Sequence, residues 1–271
     1  MVGESGRMGQ VSSDDGVRLH YDVTGSGDAV ILIHGIGSTS RSFTPLAGKL
    51  GPTYRCIAVD LRGYGDSDDG AVANGWQTLA EDVGAVLDAE WVVRAHVVAA
   101  SAGAVTALTL WRLQPQRVRS LTLLGPTLGD ASDPAQASRR LAERRAELTQ
   151  PKEGARRRAE RMVGTRVLPS ALSLLQSEQS RIRPAGYGVV AGLLARTDAS
   201  HWLPDVRIPT TVLVGSADAI TGPAVAEEVC RLLPGAGLCV LPDVGHSPHV
   251  EDPEATAAIV RDWWSRVPPC V

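Results

Sequence analysis

The stretch Val97-Val98-Ala99-Ala100-Ser101-Ala102-Gly103-Ala104 decides how this chain reads. Its first four residues are apolar and suit a buried strand, and Val105 to Leu113 continues as a helix-like run. The serine at the joint has Ala99 two residues before it and Gly103 two after. Small neighbours at those positions let a tight strand-to-helix turn lift a nucleophile clear of a sheet. The usual pattern is G-x-S-x-G, whereas this chain has A-A-S-A-G. A positive φ at Ala99 would strain the extra methyl group. Taken alone, the stretch fits equally well a strand end followed by an ordinary serine N-cap.

Upstream, Ala29-Val30-Ile31-Leu32-Ile33 is a continuous apolar run, the signature of a strand covered on both faces of a parallel sheet. His34-Gly35-Ile36-Gly37-Ser38 follows it directly. A glycine-rich loop at a strand's C-terminal end can turn backbone N–H groups toward a ligand. With an elbow at Ser101, the N–H groups of Ile36 and Ala102 form an expected oxyanion hole, and Gly35 and Gly37 border the expected pocket. The plainer alternative is a turn into a helix over 42–50. Val17 to Val23 alternates between apolar and polar residues after the turn signal Asp14-Asp15-Gly16, so the chain starts with a hairpin. Met1 to Gln10 lacks an apolar core and reads as a flexible extension without a signal peptide. Tyr54 to Val59 is a strand. The Asp60, Arg62 and Asp66 charges after it, beside Gly63 and Gly65, suit a loop that bonds to itself. Residues 78–89 have helical apolar spacing.

Downstream, Val118 to Leu124 is a buried strand, and then the strand–helix rhythm stops. Residues 125–203 are charged and helical, the pattern of a lid inserted into a core made of 1–124 and 204–271. Arg139, Arg140, Arg144, Arg145, Arg156, Arg157, Arg158 and Arg161 crowd this segment, with Glu143, Glu147, Glu153 and Glu160 between them. They form either a solvated face laced with i,i+4 pairs or a surface that attracts an anionic substrate. His201 and Trp202 close the segment and are candidate pocket residues. Strands at Thr210–Val214 and Gly237–Leu241 and a helix from Pro253 complete an α/β order with a mostly parallel sheet. Ser101, Asp218 and His246 all lie just past strand C-termini, the edge where such sheets bind ligands. Asp243 is close enough to His246 in sequence to compete with Asp218, but Asp218 follows its strand directly. His20 and His96 fall away from that edge, and His249 reads as support for the His246 loop.

The composition narrows the field. A net charge of −3 lacks the basic surplus that phosphate binding requires, so no nucleic-acid partner is expected. No apolar run approaches the roughly 20 residues of a membrane span, and no membrane partner is expected. Cys56, Cys230, Cys239 and Cys270 form no C-x-x-C pair, so a reduced, cytoplasmic protein without a metal site is the expectation. No nucleotide or dinucleotide motif is present, and no cofactor is expected. The expected partner is a small-molecule substrate, with homo-oligomerisation left open.

The chain resembles the α/β-hydrolase superfamily over nearly its whole length. The resemblance rests on H-G-I-G-S (34–38), D-L-R-G-Y-G-D-S (60–67), A-A-S-A-G (99–103), G-S-A-D-A-I-T-G-P (215–223) and G-H-S-P-H-V-E-D-P (245–253). It implies an α/β-hydrolase fold with a helical lid and a catalytic triad of Ser101, His246 and Asp218 in the order Ser–Asp–His. A serine at the elbow is unlike the aspartate of haloalkane dehalogenases and epoxide hydrolases. Within the superfamily the chain looks like the short-lid branch of enol-lactonases, meta-cleavage-product hydrolases and small carboxylesterases. Enol-lactonases carry N-S-x-G where this chain has His34-Gly35-Ile36-Gly37, and meta-cleavage hydrolases carry a longer glycine-rich loop. The implied function is hydrolysis of a small ester or lactone. C–C bond hydrolysis of a vinylogous diketone remains a second reading, and a ligand-binding receptor on the same scaffold a third. If the arginine cluster steers acidic substrates, kcat/KM for those substrates falls with added salt while that for neutral ones does not; equal salt dependence for both removes the idea.

Overall fold

The computed structural model describes residues 6–149 and 151–267. Its centre is an eight-stranded sheet in the order β1-β2-β4-β3-β5-β6-β7-β8. The strands are β1 (Arg7–Ser12), β2 (Arg18–Thr24), β3 (Asp28–Ile33), β4 (Tyr54–Val59), β5 (Ala95–Ala100), β6 (Val118–Leu124), β7 (Thr210–Gly215) and β8 (Gly237–Leu241). β2 runs antiparallel to β1 and β4, and all pairs from β4 onward are parallel.

Both faces of the central strands are buried, and their residues divide by the two-residue period of a strand. Ile31, Ile33, Val97 and Ala99 pack on one face with Leu79 and Val83 of α2 (Trp76–Ala89) and Ala104 and Leu108 of α3 (Gly103–Leu113). Val30, Leu32, Val98 and Ala100 pack on the other with Leu46 and Leu50 of α1 (Thr44–Leu50) and Val260 and Trp264 of α10 (Pro253–Ser265). This double burial is why residues 29–33 of β3 and 97–100 of β5 read as unbroken apolar runs. Each fully buried Leu or Ile contributes about 1.5–3 kcal/mol relative to exposure.

The chain leaves β3 toward β4 on one side and returns to β5 on the other. The loops that follow β3 and β5 therefore diverge, which opens a crevice at the C-terminal edge of the sheet. Between β6 and β7 the described chain contributes only helices: α4 (Pro134–Leu148), α5 (Pro151–Met162), α6 (Pro169–Ser180), α7 (Pro184–Leu194) and a 3₁₀ turn over Ser200–Asp205. α8 (Gly222–Leu232) follows β7, and the short α9 (Pro248–Glu251) precedes α10. Among the described residues no helix is long and apolar enough to cross a membrane.

The start of the chain differs from the sequence reading. Residues 7–12 are not an extension but β1, the hairpin partner of β2 across the Asp14-Asp15-Gly16 turn. The strand lies at the sheet edge with mostly exposed side chains, so backbone hydrogen bonds hold it and no apolar pattern marks it. Arg7 and Arg55 both pair with the buried carboxylate of Glu90, which also accepts from Tyr21 Oη at 2.7 Å. Residues 1–5 and Cys270 lie outside the described residues. Cys56 is buried, and burial pushes its thiol up to about 12; it acts as a small core residue.

The loop after β4 bonds to itself through Asp60 and Asp66 N, but its charges mostly fasten it to other elements. Arg62, with a side chain 2% exposed, grips Asp82 of α2 at 2.7 and 2.6 Å and Asp15 of the first hairpin at 2.7 and 2.9 Å. Asp60 accepts from Ser40 N at 2.7 Å, Asp66 N at 2.9 Å and His20 Nδ1 at 3.1 Å. Arg62→Met leaves Asp82 buried without its counter-ion and is expected to lower stability by about 3–5 kcal/mol in urea unfolding; a loss below about 1 kcal/mol would contradict this account.

Candidate active site

Ser101 sits at the end of β5 with φ +51°, a left-handed conformation that costs a residue with a side chain about 1–2 kcal/mol. The strain falls on the serine and not on Ala99, which lies within β5 in register with Ile33 and Leu123. An alanine in place of the first elbow glycine therefore meets no positive φ. Gly103 is not replaceable in the same way. A Cβ there would lie 2.6 Å from the carbonyl oxygen of Ile33 and 2.7 Å from that of His34. Gly35 is its counterpart, since a Cβ would lie 2.9 Å from both Ala100 O and Ser101 Cβ. These two glycines let the loop after β3 and the turn after β5 touch backbone to backbone. Ile36 lines the same cavity as Ser101, and Ala102 is the N-cap of α3, at the end where backbone N–H groups have no partner within the helix.

His34, the first residue of the glycine loop, is buried and has a structural task. Its Nε2 accepts from Leu61 N at 3.1 Å, so its Nδ1 carries the proton and donates to Gly35 O at 2.8 Å. Burial lowers its pKa and keeps the ring neutral. The loops after β3 and β4 are thereby fastened together.

The histidine loop follows β8. His246 Nδ1 lies 2.9 Å from Asp218 Oδ2, and the two side chains are 5% and 0% exposed. Asp218 Oδ1 accepts from the backbone N–H groups of Ile220 (2.8 Å) and Thr221 (3.1 Å), and Oδ2 accepts from Thr221 Oγ1 at 2.9 Å. Burial raises the Asp218 pKa, but the His246 contact and the two backbone donors outweigh it and hold the carboxyl down at about 2. Gly125, at φ +49°, makes room for the pair: a Cβ would sit 3.1 Å from both Asp218 Oδ2 and His246 Nδ1. Asp243, the competing acid, faces away and bonds Thr165 Oγ1 at 3.1 Å and Arg166 Nε at 3.2 Å.

Glu251 braces the histidine loop and was not singled out in the sequence. Its carboxylate accepts from the backbone N–H groups of Gly245 and Ser247, each at 3.1 Å, and of Gly164 at 2.6 Å. His246 N also donates to Met162 O at 2.7 Å. The histidine is thus tied to the end of α5 as well as to the core. The only sequence signal for Glu251 is its place five residues after His246 within the quoted motif.

Ser101 and His246 line one cavity of about 360 Å³, together with Gly35, Ile36 and Thr221. The helical segment supplies much of the remaining wall, including Met162, Leu175, Gln179 and Tyr187. The pocket expectations need correction here. His201 and Trp202 do not line this cavity; His201 is exposed, and Trp202 packs under Arg112 with the guanidinium 4.7 Å from its ring. They lie on the 3₁₀ turn that leads back to β7, on the side of the segment that meets the core. Gly37 is also absent from the wall; its carbonyl accepts from Gln179 Nε2 at 2.9 Å. His249, expected to support the loop, instead lines the cavity with its ring 4.6 Å from Phe43, and burial pushes its pKa down to about 3. His96 is buried at the opposite end of β5, bonded to Ser120 Oγ at 2.7 Å and stacked on Trp264. Among the described residues, His20, Asp60 and Asp66 could offer metal-ligand atoms within 4.8 Å of one another. Both Asp60 oxygens already serve the hydrogen bonds of the loop after β4, so the group reads as a structural network.

A strand-end serine strained into a left-handed turn, facing the cavity of a buried Asp–His pair, defines a class of protein. The family model described as alpha/beta hydrolase fold matches residues 28–253, and the chain belongs to that family. It is an α/β-fold hydrolase. It is 29% identical over 261 residues to a pimeloyl-[acyl-carrier protein] methyl ester esterase of Neisseria meningitidis, covering 86% of this chain and 92% of the relative. It is 27% identical over 264 residues to a putative non-heme bromoperoxidase of Mycobacterium tuberculosis, covering 93% and 99%. The structure of a thermophilic esterase from Thermogutta terrifontis superposes with a TM-score of 0.86 at 26% identity, covering 96% and 99%.

Because the folded-state pKa of Asp218 (about 2) lies below its ordinary value of 3.8, its ionisation stabilises the fold above that value. The contribution is lost as pH falls from there toward 2. Asp218→Asn is therefore expected to flatten the loss of stability between pH 5 and pH 2 in denaturant unfolding; an equally steep loss in the variant would count against an ionised Asp218 at this site.

Proposed function

We propose that the chain is a serine hydrolase of small carboxylic esters or lactones, acting through Ser101, His246 and Asp218. The observation that carries the reading is the strained Ser101 facing the same cavity as His246, whose far nitrogen is held by a buried carboxylate. The Asp218 contact occupies Nδ1, so Nε2 is the nitrogen left for proton transfer.

In this mechanism Ser101 Oγ attacks the acyl carbon while His246 Nε2 takes its proton. The N–H groups of Ile36 and Ala102 hold the developing oxyanion, a contribution worth about 10²–10³ in rate per donor. The tetrahedral intermediate collapses, the C–O bond to the alcohol breaks, and His246 returns the proton to the leaving oxygen. Water deprotonated by His246 then attacks the acyl-enzyme and releases the acid. Asp218 fixes the imidazole tautomer and stabilises the imidazolium throughout. The helices between β6 and β7 serve as the lid that shapes the acyl pocket. Two of the relatives are named as esterases, which supports ester chemistry over C–C bond cleavage.

The test is hydrolysis of p-nitrophenyl acetate and butyrate, with fluorophosphonate labelling, by wild type and Ser101→Ala. Wild-type turnover with a loss of roughly 10⁴-fold or more in the variant, and labelling only of wild type, is expected. Turnover that survives in Ser101→Ala would overturn the assignment of the nucleophile.

A further inference from the structure

The arginines of the helical segment do not share one role. Arg156 lies on an exposed face, paired with Glu153 and Glu160 along its own helix. Arg140, Arg144, Arg158 and Arg161 instead line the cavity. Arg140 and Arg144 both contact the buried carboxylate of Asp130, at 2.5 and 2.9 Å. Arg161 contacts Glu147 at 2.5 Å.

Arg158 is held differently. Its side chain is 7% exposed, and its hydrogen bonds go to a neutral residue: Nε to Gln179 Oε1 at 2.8 Å and Nη2 to Gln179 O at 3.2 Å. Gln179 is itself anchored to the glycine loop by its bond to Gly37 O. The remaining nitrogen, Nη1, is buried without a hydrogen-bond partner among the described residues. The Glu147 carboxylate is 3.9 Å from it, beyond hydrogen-bond reach, and already engages Arg161. A buried cationic donor without an acceptor is costly, and a guanidinium is matched best by a carboxylate. The cavity, at about 360 Å³, takes a short acyl chain and not a large anion.

We propose that Arg158 anchors a carboxylate subsite in this cavity, so that the preferred esters are half-esters of short dicarboxylic acids. The inference rests on the reading of the cavity as the acyl site of a serine hydrolase. The free carboxylate of the substrate meets the Arg158 guanidinium, whose packed Nη1 turns toward the cavity to take it, while the ester carbonyl lies at Ser101. Hydrolysis adds one water, breaks the acyl C–O bond, and yields a dicarboxylate and an alcohol. Gln179 orients the guanidinium and couples it to the loop that carries Ile36.

The test compares monomethyl glutarate and monomethyl adipate with methyl pentanoate and methyl hexanoate, in wild type, Arg158→Gln and Arg158→Lys, each assayed below its measured Tm. Wild type is expected to favour the half-esters. The ratio of kcat/KM for half-ester over neutral ester falls roughly 10–100-fold in Arg158→Gln and recovers in part in Arg158→Lys. In parallel, calorimetry measures binding of the same esters to Ser101→Ala with and without Arg158→Gln. An unchanged ratio in Arg158→Gln, or half-ester binding to Ser101→Ala no tighter than that of the neutral ester, overturns the subsite. Arg158-dependent binding of the half-ester without turnover by wild type would uphold the subsite and overturn ester hydrolysis.

Discussion

The site depends on one close approach, that of the turn after β5 to the end of β3. Two glycines permit it, Gly35 on one side and Gly103 on the other, and a Cβ at either would overlap backbone of the facing segment. Ser101 takes its left-handed conformation at this approach, and the start of α3 lies against the end of β3 and His34. It falls where the strand order reverses, between β3 and β5, so the crevice opened by the topology and the serine it exposes have one origin. The strain on Ser101 is small beside the burial of the flanking strands, which is why the fold can hold it.

The second half of the site is assembled from farther apart. Asp218 follows β7 and His246 follows β8, and neighbouring parallel strands bring their loops together at one edge. The histidine is then tied outward. Glu251 fastens both its flanking residues to Gly164, and Met162 O accepts its backbone N–H. The same helical segment reaches the other half of the site through Gln179 and Gly37. The helices over the cavity are therefore bonded to both the nucleophile side and the base side, so their packing and the geometry beneath them are linked.

The strands and the Ser–Asp–His set were legible because each has a local signature. Strands buried on both faces are continuous apolar runs, and residues just past them fall on the ligand edge whatever the distance in sequence. β1 was not legible, since an edge strand held by backbone bonds carries no apolar pattern. The pocket wall was misread for a related reason. His201 and Trp202 lie next to the segment's end in sequence, but the turn that carries them packs on the core, while residues of α4, α5 and α6 face the cavity. Which face of a charged amphipathic helix meets a cavity depends on its neighbours, and Arg156 and Arg158 are two residues apart with opposite surroundings.

The sequence alone determined the α/β order, the sheet's buried strands, the serine turn and the residues that could meet at its edge. These follow from side-chain periodicity and from the sizes of residues beside a tight turn, both of which are local. Only the tertiary structure decided that strain falls on Ser101 and spares Ala99, that Glu251 braces the histidine loop, and that Arg158 is left with an unanswered donor. Each of these depends on contacts between segments distant in the chain, where packing and hydrogen bonding select among partners that local sequence leaves equivalent.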